Sequence, residues 1–597
     1  MAKELHSGAD VIAHFISEFC FQKVFLVTGG ACAFIVDAIG RNENLRVIPF
    51  QHEQAAAMAA DAVWRTSSQI GVTVATSGPG ATNLITGIAC SWFDSIPSIH
   101  ITGQVNRNES KKALGVNVRQ AGFQETDIVD MVSSITKKAV YIESLDQLIE
   151  TLPKLLELAL SGRMGPVLID VPMNVQKDAL NSYQIEKIKN WEVNVGLGEI
   201  LTKIDEVIKK LLKPANRPIV LLGAGAALCG KATQLQEWCE TNRIPYVSSW
   251  GAMPYLDRSA SLYQGHIGVY GSRHGNYAIQ NADTILVFGS RLDNRQRTGN
   301  PYGFAPFAEI IVFDVDKEEL NKYNAHANYQ TIELDLRNLP KVLPNIDLKP
   351  ECIAWIEALK ISKEKLDEGF SLSSPIEKLN PYSAVRTLQS KFEESSIVVS
   401  DCGANLCWVY QSYLPDTSFL FTAGGNSPMG YSVPAAIGAS MTAPNKNVYC
   451  FIGDGGFQMN IQELQTIVHN NLNVKILIQN NFGYGIIKQF QDAYFESRYF
   501  ATGEGYSSPN FEKIAAAYGF KYSKISSMRE AEEFTFSDTY EIVELIHDPN
   551  TLITPKTEMN RFIHDQFPYI EDGMNERMFF VYPNRPSNLN GIVNPTV

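Results

Sequence analysis

A glycine-rich turn between two strand-like runs constrains the fold of this chain more than any other stretch. The turn Gly453-Asp454-Gly455-Gly456 follows an apolar run at 448–452, and the pair Asn480-Asn481 follows a second apolar run at 474–478. The pattern predicts strand, turn, helix and strand. Asp454 and Asn481 then lie at the C-terminal ends of neighbouring parallel strands, where open α/β sheets bind ligands. Carboxylate and amide oxygens suit Mg²⁺, and glycine turns let backbone N–H groups approach phosphate. The sequence therefore predicts a metal-bridged diphosphate site.

Length and composition fit a multidomain globular enzyme. The chain has 597 residues, of which 45% are hydrophobic and 19% charged, and its net charge is −13. Such a charge disfavours nucleic acid or a basic membrane-binding surface as partner, and we find no apolar run long enough to span a membrane and no signal-peptide pattern. The nine cysteines are scattered without a Cys-x-x-Cys pair, which disfavours zinc and disulfide frameworks and fits a reducing compartment. We expect a cytoplasmic protein with no nucleic-acid or membrane partner.

Alternating strand-like and helix-like stretches divide the chain into three α/β blocks, which predicts three doubly wound parallel-sheet domains. We predict an N-terminal domain over 1–185, a central domain over 195–350, a third domain over 380–560 and a C-terminal arm over 561–597. Residues 185–197 are predicted to form an irregular linker and 349–381 a helical connection. The predicted strands are 23–28, 70–76, 98–102 and 166–171 in the first block, 218–222, 284–288 and 309–313 in the second, and 397–400, 419–422, 448–452 and 474–478 in the third.

A second acidic residue, Glu53, lies at a comparable position in the first block. It follows the apolar run 47–50 and precedes an alanine-rich stretch at 55–60. Taken alone, an acidic residue in the first turn of a helix is ordinary helix-dipole chemistry. Its place after a predicted strand, however, puts it at the ligand-binding edge of a second sheet.

Together these motifs resemble the thiamine-diphosphate-dependent enzymes, whose signature is Gly-Asp-Gly followed, after a stretch of this length, by Asn-Asn. The resemblance implies that Asp454, Asn481 and the backbone carbonyl of Gly483 hold Mg²⁺. It also implies a catalytic role for Glu53, which would bond N1′ of the cofactor's aminopyrimidine ring and so promote loss of the proton at C2 of its thiazolium ring.

Further stretches match loops that surround the cofactor in that family. Residues 76–83 match the loop that lines the pyrimidine pocket, although the same residues also read as an ordinary turn and helix start. Residues 423–430 match the loop whose apolar residue, here Met429, bends the cofactor so that its two rings meet; Met is otherwise ordinary core filler. The cofactor-binding residues implied by the resemblance are Pro79, Asn83, Cys402, Gly403, Ala404, Asn405, Ser427, Met429, Gly455, Gly456, Tyr484, Gly485 and Ile486.

Within the family, the chain resembles the acetolactate synthase-like branch. The matching stretches are 77–84, 94–97, 101–105, 123–129 and 165–172, and the paired histidines of pyruvate decarboxylases are absent. This absence disfavours simple decarboxylation. The resemblance implies that Gln124 is a second catalytic residue that orients the substrate, and it assigns the substrate pocket to Gly30, Ala31, Phe123 and Met173.

Three departures separate the chain from acetolactate synthases themselves. Met173 stands where those enzymes carry Lys, the stretch between Gln104 and Phe123 is several residues longer, and residues 271–276 differ in the central block. This combination resembles the acetolactate-synthase-like proteins of surface-polysaccharide gene clusters, whose substrates include nucleotide-linked keto-sugars. The C-terminal arm resembles the same group.

The central block contains a loop at 289–295 that resembles the FAD-contacting loop of acetolactate synthases. Arg291 and Arg295 match its arginines, and Asp314 follows the next predicted strand. Asn294 replaces an acidic residue, however, and Tyr270 stands where His is usual. Two alternatives therefore stay open, bound FAD or a relic cleft that is empty or holds an adenine nucleotide.

The expected function is a thiamine-diphosphate-dependent carboligase that decarboxylates a 2-oxo acid, pyruvate in the first instance, and transfers the acyl unit to an acceptor carbonyl. Because the family binds its cofactor between subunits, we expect a homodimer or homotetramer. Three alternatives remain: a C–C lyase or hydrolase acting on a diketone, an acyl-CoA lyase or decarboxylase, and a regulatory homologue without turnover. A basic cluster for a CoA tail is not evident, and an intact Glu53 disfavours the last.

Overall fold

The computed structural model describes residues 5–196, 204–299, 303–368, 376–415, 418–559 and 561–570. Three six-stranded sheets, each with every strand pairing parallel, follow one another along the chain with helices between their strands. The predicted α/β class with three parallel-sheet domains is confirmed. No helix within these ranges has both the length and the apolar character needed to cross a membrane.

The first sheet has the strand order β2-β1-β3-β4-β6-β5. Its central strands are buried along their whole length, as expected of parallel strands covered on both faces, and they include buried polar residues such as His100 and Asp170. Its strands are β1 (Lys23–Leu26), β2 (Arg46–Pro49), β3 (Gly71–Ala75), β4 (Ser98–Gln104), β5 (Lys138–Tyr141) and β6 (Val167–Pro172). Its helices are α1 (Gly8–Phe19), α2 (Ala33–Arg41), α3 (Glu53–Ser67), α4 (Pro79–Asn83), α5 (Ile85–Phe93), α6 (Lys111–Leu114), α7 (Ile128–Val132), α8 (Leu145–Leu160), α9 (Met173–Lys177) and α10 (Ser182–Lys189).

The second sheet has the order β12-β11-β10-β7-β8-β9. Its strands are β7 (Pro218–Leu222), β8 (Tyr246–Ser248), β9 (Tyr263–His266), β10 (Thr284–Phe288), β11 (Glu309–Asp314) and β12 (Tyr329–Glu333). Its helices are α11 (Ile204–Leu212), α12 (Ala224–Leu228), α13 (Ala232–Thr241), α14 (Arg273–Asn281), α15 (Asn294–Arg297) and α16 (Lys317–Asn321). The helical connection predicted after this sheet is confirmed over α17 (Glu351–Glu368), and residues 369–375 lie outside the described ranges.

The third sheet has the order β14-β13-β15-β16-β18-β17. Its strands are β13 (Ile397–Ser400), β14 (Phe419–Phe421), β15 (Val448–Gly453), β16 (Val474–Asn480), β17 (Lys521–Ile525) and β18 (Glu541–Ile546). Its helices are α18 (Pro381–Gln389), α19 (Gly403–Ser412), α20 (Ser432–Thr442), α21 (Asp454–Phe457), α22 (Leu464–His469), α23 (Gly485–Tyr494), α24 (Phe511–Tyr518) and α25 (Met528–Glu533). Each predicted strand of the three blocks corresponds to one of these eighteen strands, with ends that differ by up to two residues.

The first and third sheets pack together within the chain through α3 and α20. Both helices belong to one hydrophobic cluster that also includes Phe25 of β1 and Ile452 of β15. The helices approach closely because Gly438 has no side chain: a Cβ there would lie 2.2 Å from the carbonyl oxygen of Ala59. Glu53 begins α3 and the Met429 loop leads into α20, so this contact joins two of the regions that the sequence singled out.

One prediction about the connecting segments needs correction. The stretch from residue 185 is not an irregular linker at its start, because α10 continues to Lys189 and begins with a capping box at Asn181. Trp191 then packs edge-on against Phe15 of α1, with ring centroids 5.8 Å apart.

The described part of the predicted arm contains the short strand β20 (Gln566–Phe567). It pairs antiparallel with β19 (Lys556–Thr557), which lies before the arm in the predicted third domain. Residues 571–597 of the arm lie outside the described ranges.

Each sheet reverses its strand order beside its first strand, which opens a crevice at the C-terminal edge. The reversal lies between β1 and β3 in the first sheet, between β7 and β10 in the second, and between β13 and β15 in the third. Ligands of open α/β sheets bind at such positions. The predicted pyrimidine, FAD and diphosphate residues fall at or near these three crevices respectively.

Candidate functional site

Glu53 is buried at the C-terminal edge of the first sheet. Glu53 is 7% exposed and is the first residue of α3, the helix that follows the strand β2. Asn83 donates from Nδ2 to Glu53 Oε2 over 2.9 Å. Gly80 faces the other oxygen, since a Cβ there would lie 3.2 Å from Oε1. The loop predicted to line the pyrimidine pocket therefore touches the predicted catalytic carboxylate directly.

The predicted metal residues meet at the end of β15 and β16. These strands pair in parallel with Gly453 opposite Gln479, so Asp454 and Asn481 leave the same edge of the sheet, as predicted. Asp454 is 1% exposed, and among the described residues its Oδ2 has no hydrogen-bond partner. Burial raises the pKa of Asp454 to about 6, opposed by nearby N–H and hydroxyl groups. A buried, unpartnered carboxylate oxygen is costly, and a bound cation would satisfy it.

The turn after β16 is tightly built around Asn481 and Gly483. Phe482 has a left-handed backbone with φ of 56°, and its N–H donates to Asn480 Oδ1 over 3.1 Å. A Cβ at Gly485 would lie 2.5 Å from Asn481 Nδ2, and a Cβ at Gly483 would lie 2.5 Å from the carbonyl oxygen of Thr502. Both glycines are therefore required for the close approach of the chain around the predicted metal ligands.

Met429 lies against the glycine turn that follows β15. A Cβ at Gly455 would lie 3.3 Å from Met429 Cε and 2.5 Å from Cε1 of Tyr484. The half-buried Met429 side chain thus borders the space between two of the predicted cofactor-binding loops. Ser427, two residues earlier, has a φ of 49°, which bends this loop sharply.

Asp401 joins three of these loops, and the sequence analysis missed it. Its Oδ1 accepts the N–H groups of Cys402 (2.9 Å) and Gly430 (3.1 Å), and its Oδ2 accepts the N–H (3.0 Å) and hydroxyl (3.1 Å) of Ser432. A Cβ at Gly456 would lie 2.9 Å from Oδ1. Burial raises the pKa of Asp401, and the hydrogen bonds oppose that effect. Asp401 follows β13 as Asp454 follows β15, a signal that could have found it.

The loop after β13 carries the predicted residues Cys402, Gly403, Ala404 and Asn405. Asn405 Nδ2 donates to Ser400 Oγ (3.2 Å) and to the carbonyl oxygen of Asp401 (3.1 Å), whereas its buried Oδ1 has no partner within the described part of the chain. Ala404 also packs in one apolar cluster with Ile486. The structure thus brings the predicted residues that follow β13, β15 and β16 into one crevice.

The predicted substrate residues surround the C-terminal edge of the first sheet. Ala31 lies against Gly103 of β4, where a Cβ would come within 2.1 Å of the Ala31 carbonyl oxygen, while Gly30 is exposed. Met173 is half-buried and follows β6, whose last residue Pro172 pairs with Gln104. Gln124 has a φ of 60° and contacts Gly78, the residue before Pro79. Phe123 is 84% exposed.

A second residue missed from the sequence, Glu463, connects the third sheet to the Glu53 region. Its carboxylate is fully buried and accepts the N–H of Gln51 at 3.2 and 3.3 Å, and the hydroxyl of Thr466 at 2.7 Å. Burial raises the pKa of Glu463 to about 7, and these donors oppose the shift. The segment that leads into Glu53 is therefore held by a residue 412 positions away.

A large cavity opens at the crevice of the second sheet. Its volume is about 660 Å³, and its lining includes the predicted Arg291, Arg295 and Asp314. Gly223 after β7 meets Gly289 after β10, where a Cβ would lie 2.1 Å from the Gly289 carbonyl oxygen. The Arg295 guanidinium lies 5.7 Å from the centre of the Tyr270 ring. Two predicted arginines of one loop and Asp314, at the end of the next strand, thus line one cavity.

The fold and these crevices define a thiamine pyrophosphate (thiamine diphosphate) enzyme, and the chain belongs to that family. Family models for its N-terminal TPP-binding domain, central domain and C-terminal TPP-binding domain match residues 6–131, 205–336 and 401–536 respectively. The three matches follow the order of the three sheets. The resemblance to this family is confirmed.

Curated relatives place the chain in the acetolactate synthase-like part of the family. It is 31% identical to the acetolactate synthase large subunit of Lactococcus lactis subsp. lactis, over 90% of each chain. It is 32% identical to the acetolactate synthase isozyme 1 large subunit of Escherichia coli, over 86% of this chain and 88% of that one. It is also 32% identical to the chloroplastic acetolactate synthase of Arabidopsis thaliana, over 88% of this chain and 78% of that one.

Proposed function

We propose that the protein is a carboligase that removes CO₂ from a 2-oxo acid, pyruvate, and transfers the remaining acyl unit to an acceptor carbonyl. One observation carries this proposal: the buried Asp454 carboxylate and the Met429 side chain meet at the same glycine turn. The similarity to acetolactate synthases over most of the chain supports it. The proposal also includes a keto-sugar as acceptor, Mg²⁺ as the metal and FAD as a second cofactor.

The residues after β15 and β16 fit a magnesium ion. Asp454 Oδ2 is buried without a partner in the described structure, and Asn481 and Gly483 supply an amide and a carbonyl oxygen on the adjoining turn. No cluster of three or more His, Cys, Asp or Glu side chains suited to a metal occurs in the described ranges, so a mixed oxygen set completed by phosphate and water is the arrangement we propose. Asp454, Asn481 and Gly483 would hold the ion.

Bound thiamine diphosphate supplies an electron sink that lets a 2-oxo acid lose CO₂ and the remaining acyl unit attack a carbonyl. The chain's residues prepare that chemistry. Glu53 would hold a proton at the pyrimidine N1′, with its carboxylate kept in place by the 2.9 Å hydrogen bond from Asn83. Met429 would orient the two rings, the glycine turn and the 402–405 loop would receive the diphosphate, and Gln124 would orient the acceptor carbonyl.

We also propose that the complete site forms between subunits of a homodimer or homotetramer. Within the described chain, no hydrogen bond joins Glu53 or Asn83 to the group around Asp454. Large apolar side chains around both groups are exposed, among them Phe123 at 84% and Phe482 at 49%. A second copy that covers these side chains would bring Glu53 and Asn83 of one copy against the residues around Asp454 of the other.

The nine cysteines are free thiols, which supports the cytoplasmic location that we also propose.

The acceptor we propose is a carbonyl compound with no carboxylate beside its carbonyl, with a keto-sugar as the leading class. A second 2-oxo acid would bring a carboxylate, which proteins usually bind with Arg or Lys. Met173, half-buried at the end of β6, offers no charge there. This residue and the long segment before Phe123 are the features in which the pocket departs from acetolactate synthases.

FAD is our proposed ligand for the 660 Å³ cavity of the central domain. Arg291 and Arg295 supply positive charge for a diphosphate, and Asp314, whose pKa burial raises, ends β11 where a ribose-binding acid is expected. An adenine nucleotide shares those recognition elements. The absorption spectrum of the purified protein separates the two: a flavin band supports FAD, and a colourless protein that releases adenine nucleotide on denaturation contradicts it.

Product analysis tests the main proposal. The purified protein, loaded with thiamine diphosphate and Mg²⁺, is incubated with pyruvate alone and with a panel of aldehydes, ketones and nucleotide-linked keto-sugars. CO₂ release with a new C–C bond supports a carboligase. Cleavage of a diketone or an acyl-CoA without ligation supports the lyase or hydrolase alternative. If the protein binds the cofactor but turns over none of these substrates, the result supports a regulatory homologue.

A further inference from the structure

The long segment before Phe123 is closed at both ends by one carboxylate. Glu125 Oε1 accepts the N–H of Lys111 over 2.8 Å, and its Oε2 accepts the N–H groups of Ala121 (2.9 Å) and Gly122 (3.1 Å). The side chain is 8% exposed. The backbone N–H of Lys111 and those of Ala121 and Gly122, which follow it by ten residues or more, thus converge on one buried side chain. This side chain holds residues 111–122 as a closed loop.

Two further contacts support this loop. Gln120 Nε2 donates to the backbone carbonyl oxygen of Glu125 over 3.1 Å. Gly122 packs on Val105, where a Cβ would lie 2.9 Å from Cγ2. The end of the loop therefore lies directly on the residue that follows β4, and no larger residue fits at Gly122 without a shift.

Gln124 lies between Glu125 and the pyrimidine loop. Its φ of 60° is a left-handed conformation that a non-glycine residue adopts only when its surroundings impose it. On one side it contacts Gly78; a Cβ there would lie 2.8 Å from the Gln124 Cβ.

Beyond Glu125, Gln104 Nε2 donates to the carbonyl oxygen of Thr126 over 3.0 Å and to the buried Asp170 over 2.9 Å. The chain is thus anchored both before and after Gln124, so the backbone from which the Gln124 side chain extends is held on both sides.

We propose that Glu125 is a positioning residue that sets the place of Gln124 and Phe123 and so determines which acceptor carbonyl the pocket takes. The inference rests on the proposed carboligase function. Glu125 acts through the two residues before it and through the loop 111–122, and it is not itself assigned a contact with substrate.

The other charged contacts of the loop differ in kind from that of Glu125. Lys112 pairs with Glu143 over 2.5 Å and Lys111 with Asp127 over 2.5 Å, but both pairs are largely exposed. Exposed pairs contribute little, and neither carboxylate receives a backbone N–H from the two ends of the loop. Glu143 therefore provides a matched control, because Glu143→Gln removes a carboxylate charge that pairs with Lys112 of the same loop without affecting the ends of the loop.

The test compares wild type, Glu125→Gln and Glu143→Gln as holoenzymes. An amide keeps the size of the side chain but turns an NH₂ group toward at least one of the three donors. We expect hydrogen exchange of the 111–122 amides to rise at least tenfold in Glu125→Gln only. We also expect the KM for the best acceptor of the panel to rise about tenfold, while CO₂ release from pyruvate without acceptor stays within twofold.

Other outcomes separate the claims. A wild type that forms no C–C product contradicts the proposed carboligase, and this inference falls with it. An active wild type overturns the inference alone if Glu125→Gln leaves exchange unchanged, changes exchange without changing acceptor KM, or lowers CO₂ release and ligation equally. Should Glu125→Gln not fold, Gln120→Ala, which removes the bond to the Glu125 carbonyl from an exposed position, takes its place under the same criteria.

Discussion

Asn83 donates a hydrogen bond to Glu53 across 2.9 Å, from the end of one short helix to the start of another. The two residues are separated by 30 positions in the sequence, yet the bond fixes the carboxylate that we propose to act at the pyrimidine ring. We therefore propose that Asn83 holds Glu53 in place as well as lining the pyrimidine pocket.

Replacing Asn83 should slow activation of the cofactor without preventing its binding. A hydrogen bond to a charged group contributes roughly 1.5–3 kcal/mol, so Asn83→Ala should lower the rate of hydrogen–deuterium exchange at C2 of bound thiamine diphosphate by about 10- to 100-fold. Thr82→Ala is the control, since the Thr82 hydroxyl donates to the Pro79 carbonyl of the same loop and has no described bond to Glu53. An equal loss in both variants would show that the loop, and not the bond to Glu53, matters.

Asp401 should control cofactor affinity through the loops it joins. In Asp401→Asn the amide can no longer accept from every N–H and hydroxyl donor of Cys402, Gly430 and Ser432, and a buried donor left without a partner costs roughly 1–3 kcal/mol. The Kd for thiamine diphosphate, measured by calorimetry, should rise about 10- to 100-fold. Ser432→Ala removes only the hydroxyl bond and should have a smaller effect; an unchanged Kd in Asp401→Asn would contradict the role.

Gly438 should be essential for the packing of α3 on α20. A Cβ there would lie 2.2 Å from the Ala59 carbonyl oxygen, and such overpacking costs roughly 1–3 kcal/mol. Gly438→Ala should therefore lower the free energy of unfolding. In Gly40→Ala, a helical glycine of α2 with open space around it, the same change should stabilise by up to about 1 kcal/mol. Chemical denaturation of both variants provides the comparison, and similar effects in the two would argue against close helix contact.

Burial of Glu463 should make stability depend on pH in a definite direction. Its pKa is about 7 in the folded chain against an ordinary value of 4.5, so between these values the folded state binds the proton and the unfolded state does not. Stability should thus fall as pH rises from about 4.5 through 7, by up to roughly 3 kcal/mol, and then level off.

Thermal unfolding from pH 5 to 8 measures this effect. Glu463→Gln cannot titrate and should flatten the decline relative to wild type, whereas Glu109→Gln, at an exposed position, should leave it unchanged. A Glu463→Gln profile as steep as that of wild type would assign the decline to other groups.

The parts of the fold that were predictable are those whose signal is local. Strands such as β7 and β10 are buried on both faces, so their apolar runs are visible in the sequence. β18 was missed because Glu541 and Glu544 interrupt its apolar residues, although both side chains are buried and hydrogen-bonded. β12 was missed for a different reason, since it is a half-exposed edge strand.

The same distinction applies to the site. Glu53 and Asp454 could be predicted because each follows a strand and begins a helix. Asp401, which follows β13, carried the same positional signal. Glu463 carried none, because it accepts the backbone N–H of the distant Gln51, and no side-chain pattern marks a backbone donor. Glu463 meets Gln51 only because α3 packs on the third domain, a contact that depends on the whole chain being folded.

The anchoring of the 111–122 loop has a consequence for how such a protein can diversify. The donors that meet Glu125 lie at its two ends, and Ala113 and Val116 bond back to the first end, whereas no hydrogen bond among the described residues involves 117–119. Lengthening a closed loop is inexpensive, at about 0.6 kcal/mol for each doubling. Residues 117–119 can therefore be exchanged between lineages, or replaced by a grafted segment in engineering, while the two ends of the loop stay in place.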